Sequence, residues 1–113
     1  MRQTEAERLF EQLIEAVAHE EVLRSLYRDL CLAAVRYARA RTDWQLADTQ
    51  TRIAMDATRT ASHNALIDAC NILSRACATL GRSTEWRRNL GEDRRQIGDF
   101  ACHLHACLGV LAR

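Results

Sequence analysis

The run Leu66-Ile67-Asp68-Ala69-Cys70-Asn71-Ile72-Leu73-Ser74-Arg75-Ala76-Cys77-Ala78-Thr79-Leu80 decides the fold class. At 100° per residue, Leu66, Cys70, Leu73, Cys77 and Leu80 fall within about 40° of one direction. Asn64, Asp68, Asn71 and Arg75 cluster on the opposite side. An apolar stripe at this period, with a polar face behind it, is an amphipathic helix that buries one side against other helices. Gly81 follows it in the place where a helix ends in a left-handed residue.

Working outward, the same period recurs. Toward the C-terminus, Ser83 predicts the cap of a short turn through Trp86 and Arg87, which Gly91 ends. Ile97, Phe100, Ala101, Leu104, Leu108 and Leu111 then define a last helix. Toward the N-terminus, Thr4 and Glu7 form a capping box, so a helix starts near residue 5 with Leu9, Phe10, Leu13, Ile14 and Val17 inward. Its phase slips at Glu20 and Glu21 and resumes at Val22, Leu23, Leu26, Tyr27 and Leu30, which predicts a break around His19 and Glu20. A second helix runs to about residue 40. Thr42 or Asp43 then caps a third, with Trp44, Leu46, Ala47, Ile53, Ala54 and Met55 as apolar members. The stretch Asp56–Asn64 is polar and rich in short hydroxyl side chains, which favour caps over helix interiors. It predicts two helices between residues 43 and 80, or one bent near 56–60.

These elements give an all-α, antiparallel bundle of four to five helices in a single domain over residues 1–113. The composition agrees, with no proline and four glycines in 113 residues. So few breakers exclude turn-rich sandwiches and barrels. No stretch approaches the roughly 20 apolar residues that span a bilayer. The first residues carry no apolar signal segment, and five cysteines leave an odd thiol, so a cytoplasmic chain with reduced cysteines is expected.

Chemistry-bearing residues are few. If the central helix extends toward its N-terminus, Asp56, Arg59 and His63 continue its core-facing stripe. Charge on such a stripe is costly unless it is paired. One reading is a polar pocket in which Arg59 holds an anion and His63 carries a proton. The other is a structural network with Arg59 paired to Asp56 or to a carboxylate of another helix.

Asp99, His103 and Cys107 line one edge of the last helix at i, i+4 and i+8. That line lacks the four convergent ligands zinc needs, so no metal or other cofactor is expected. Arg82, Arg87, Arg88, Arg94 and Arg95 surround Trp86, but interleaved acids disfavour a nucleic-acid surface. All 16 basic residues are arginine and the net charge is only +1. Residues 1–21 carry six glutamates and two arginines. This acidic segment is expected to dock on Arg36, Arg39 and Arg41 of its own or a neighbouring chain.

Two resemblances bear on function. Arg59-Thr60-Ala61-Ser62-His63 resembles the Arg-to-His motif of the helical HEPN ribonucleases, with a shorter gap that puts both side chains one turn apart on a shared face. The segment His63–Leu73 and the block Trp86–Phe100 resemble a bacterial family of small helical proteins known only as a domain of unknown function. That resemblance covers roughly the C-terminal half and implies a helical single domain without an assigned activity. The leading expectation is therefore a non-enzymatic interaction or oligomerisation module, a homodimer of the bacterial cytoplasm. The alternative is a small-ligand pocket for an anion or nucleotide, or a divergent HEPN-like ribonuclease, centred on Arg59 and His63.

Overall fold

The computed structural model describes residues 4–108, and within them every regular element is a helix. The order is α1 Glu5–Val17, α2 Glu21–Leu46, α3 Thr49–Thr79, α4 Glu85–Leu90 and α5 Arg94–Ala106. Thr4 caps α1, its hydroxyl oxygen accepting from the Glu7 amide at 3.1 Å. The chain turns between α1 and α2 at His19, whose φ of 64° lies in the left-handed region. Leu111 lies outside the described residues.

The α2–α3 boundary differs from the expectation. Helix α2 does not stop near residue 40, and neither Thr42 nor Asp43 is a cap. It runs on to Leu46, and Asp48 caps α3 by accepting from the Thr51 amide at 2.7 Å. Those hydrogen bonds from Thr51 hold the Asp48 carboxyl below its ordinary range. Nor is there a joint at residues 56–60: α3 is one helix of 31 residues. At 1.5 Å per residue it spans about 46 Å, close to the 47 Å long dimension of the molecule. The far end of α3 is as expected. Gly81 has φ 70°, the Arg82 amide reaches the Cys77 carbonyl at 2.8 Å and the Gly81 amide the Ala78 carbonyl at 3.1 Å. That pair of bonds is a complete Schellman ending.

The core is one cluster. Leu9 and Leu13 of α1, Leu23, Leu30 and Ala34 of α2, Leu66, Cys70, Leu73 and Cys77 of α3, Trp86 and Leu90 of α4, and Ile97, Phe100 and Leu104 of α5 are all buried. Trp86 lies fully inside the bundle. Helix α2 is the central strut, packing on α3 and on α5, while α1 lies on α5 and α4. No helix is long and apolar enough to cross a membrane among the described residues.

Arginines fasten the ends. Arg82 donates to the carbonyls of Glu15 at 2.6 Å, Ala16 at 2.9 Å and Ala18 at 3.5 Å, which close α1. Arg52 does the same for α2, donating to Trp44 O and Gln45 O, each at 2.9 Å. A helix leaves its last four carbonyls unpaired, and a guanidinium satisfies several at once.

Candidate functional site

The residues singled out from the sequence lie where α3 crosses the outer half of α2. Trp44 of α2 carries two guanidinium groups on its indole: the Arg52 and Arg59 carbons lie 4.3 and 4.1 Å from the ring centroid. Arg59 also donates from Nη2 to Asp56 Oδ1 at 3.1 Å. One turn further, the His63 ring is buried edge-on against Tyr37, centroids 5.3 Å apart. Its Nδ1 lies 3.3 Å from Asn64 Oδ1.

Asp56, Arg59 and His63 do not all share the inward stripe. His63 is buried and Arg59 partly so, but Asp56 is exposed at the rim. Arg59 is committed to Asp56 and to the Trp44 face. Such contacts hold a cation in place and contribute roughly 1 kcal/mol each when partly exposed. His63 Nε2 and Arg59 Nε are buried without a partner, as are Tyr27 Oη and Trp86 Nε1 elsewhere. Trp86 faces the Cys77 thiol, a weak acceptor.

General base chemistry at His63 would need a proton donor or a water-bearing nucleophile beside it. The adjacent Ser62 hydroxyl instead donates to the Arg59 carbonyl at 2.9 Å.

The remaining candidates are dispersed. Asp99 accepts from Arg41 at 3.3 Å, while His103 stacks edge-on against Phe10 and sits 3.6 Å from Cys107 Sγ. Among the described residues no three ligand-type side chains converge. Arg87 is held by Asn71 Oδ1 at 2.8 Å and by the Gly91 carbonyl at 3.2 Å. With Arg82 spent on α1, two of the five arginines around Trp86 are structural. No ion pair joins α1 to Arg36, Arg39 or Arg41 among the described residues: α1 packs mainly on α5 and α4, and Arg41 turns to Asp99.

Sequence reading missed Tyr37 and Arg52, assigned Asn64 to the opposite polar face, and treated Trp44 only as an apolar member. The available signal was Trp44 preceding two arginines about one and three turns into the next helix.

A broader feature surrounds this cluster. From Arg39 to Ser62, through both arms of the hairpin, no residue is buried. Leu46 and Ile53 stand 82% and 74% exposed at the tip. Between the arms lies a depression of about 610 Å³ lined by Arg36, Arg39, Asp43, Met55 and small residues including Ala54 and Ala61.

Comparison with known proteins finds no matching family model, no matching curated protein and no matching solved structure.

Proposed function

We propose that the chain is a non-enzymatic self-association module of the bacterial cytoplasm, pairing as a two-fold dimer through the outer half of its α2–α3 hairpin. One observation carries this reading: residues 39–62 form two helical arms with no buried side chain, yet they present Leu46, Ile53 and a small-residue seam to solvent. Two helices bury little between them, and a second hairpin laid across the first completes a four-helix arrangement. A two-fold interface places the same patch on both subunits, so the patch must complement itself. This one does, carrying exposed Arg36 and Arg39 beside exposed Asp43, none of them ion-paired among the described residues. Five free thiols fit a reducing compartment.

Light scattering on the full chain is expected to give twice the monomer mass at micromolar concentration. Asp43→Arg sets like charges together and weakens the dimer about tenfold. The double variant Arg39→Asp/Asp43→Arg restores it. A monomer throughout that range ends the proposal, as does a dimer indifferent to the charge swap.

The orphaned His63 Nε2 and Arg59 Nε favour a second reading, a small-anion pocket at that cluster. Under it, phosphate or a nucleotide raises the melting temperature, and His63→Ala abolishes the rise while the fold persists.

A further inference from the structure

On the other side of α2, Arg24, Tyr27, Arg28, Cys31, Leu32 and Val35 fall on one helical strip. With Leu108 they line a groove of about 260 Å³. The strip is graded. Arg24, Tyr27 and Arg28 occupy the end nearer the start of α2, and Leu32 and Val35 the other. Leu32 and Leu108 are 57% and 42% exposed, so the apolar end faces solvent. Arg24 and Arg28, one turn apart, are exposed and meet no carboxylate among the described residues. Tyr27 is 4% exposed, and its hydroxyl is buried without a hydrogen-bond partner.

An orphaned buried hydroxyl costs about 1–3 kcal/mol unless something accepts from it. The Cys31 sulfur beside it is at best a weak acceptor. Burial pushes Tyr27 well above the ordinary tyrosine range and also raises the Cys31 thiol. Both therefore stay protonated and uncharged at neutral pH, so neither competes with an anion for the two arginines. A groove apolar along its length with a few convergent polar groups is the usual form of a small-molecule site.

We propose that this groove binds a single amphiphilic carboxylate, a medium-length acyl anion whose head group pairs with Arg24 and Arg28 and whose chain lies along Tyr27, Leu32, Val35 and Leu108. The requirement for an anion comes from two exposed guanidinium groups, one turn apart, that meet no carboxylate among the described residues. The requirement for a chain comes from the apolar remainder. The site does not depend on the dimer, since it uses residues outside the 39–62 arms.

Calorimetry on the full chain with decanoate below its micelle concentration tests it. Saturable one-to-one binding is expected, weakened by added salt because the arginines are exposed. Decanol, which keeps the chain and lacks the charge, should bind at least about tenfold more weakly. Leu32→Asp, at a position 57% exposed in the apolar end of the groove, should lower the affinity for decanoate with little change in melting temperature. Arg24→Ala/Arg28→Ala should lower the affinity further without unfolding the chain.

Absence of binding overturns the proposal, and so does binding that ignores both sets of substitutions. Equal affinity for anionic vesicles and dissolved decanoate overturns it as well, by identifying a membrane surface as the ligand. Loss of binding only when the protein dimerises overturns it in favour of a second copy.

Discussion

Arg82 shows how much of this molecule is held by single side chains reaching backbone. Its guanidinium closes α1 from a position 66 residues away in the chain, through bonds to Ala16 O at 2.9 Å and Glu15 O at 2.6 Å. Removing it leaves carbonyls at a helix end without partners and takes a positive charge from the negative end of the dipole. Arg82→Ala is therefore expected to cost about 2 kcal/mol in urea denaturation. Arg82→Lys should recover less than half of that, since an ammonium is a point donor and cannot bridge adjacent carbonyls as the fork does. Arg88, exposed on α4, provides the control, and Arg88→Ala should change stability by no more than about 0.5 kcal/mol. None of this was legible from sequence. Composition shows an arginine-rich chain, but which arginines cap helices depends on where distant helices end.

At the scale of elements, the sequence is readable wherever a helix faces the core. The stripe Leu66, Cys70, Leu73, Cys77 is fully buried, and the α1 cap, the break at His19 and the Gly81 ending all lie where side-chain pattern and turn chemistry put them. Outside residues 40–64, Thr84, not Ser83, precedes α4, and Val22, Leu80 and Leu108, placed on apolar stripes, are 67%, 42% and 42% exposed. Misread helix boundaries are concentrated at residues 40–64. There the arms of the hairpin face water on most sides, so no periodic apolar demand distinguishes helix from loop. Thr42 and Asp43 look like caps because their side chains favour caps. Asp48, a few residues on, takes the role because Arg52 secures the end of α2 beside it.

The hydroxyl-rich run 56–64 stays helical because α2 supports it along its length, with Ser62 bonding back to its own helix. Asp56, Arg59 and His63 were legible as neighbours, but Asp56 on the rim was not, since two turns of helix, about 10 Å, separate it from His63. Continuity of α3 has a direct test at Ala57, which is exposed and helical. Ala57→Pro removes a backbone donor and clashes with the preceding turn, so it should cost about 3 kcal/mol and lower the far-ultraviolet helix signal. A joint at 56–60 would absorb the same proline with little loss.

For the molecule as a whole, the buried thiols set an alkaline limit. Burial raises the pKa of Cys31, Cys70 and Cys77, and Cys70 reaches about 12. In the unfolded chain these thiols lose their protons near the ordinary value of about 8.5. Between that value and the folded one, the unfolded state binds fewer protons than the native state, so stability falls as pH rises. The contribution is whole below about pH 8.5. Above it, each such group removes up to about 1.4 kcal/mol per pH unit. Urea midpoints should therefore be flat from pH 7 to 8 and decline steadily toward pH 11.

The test is clean up to about pH 10 because all sixteen basic residues are arginine, which stays charged throughout, and no lysine titrates in the window; above that, Tyr27, whose pKa burial also raises, adds its own share. Cys70→Ala should lower stability at pH 7, through the space left behind, and make the alkaline decline shallower by one thiol's share. Alkylation supplies the second arm. Cys102 is exposed and should label first, whereas Cys70 and Cys77, both 0% exposed, should label only at the rate at which the bundle opens. An alkaline slope unchanged by Cys70→Ala would place the titrating groups elsewhere, and prompt labelling of Cys70 in the native protein would mean that the central stripe of α3 is not buried.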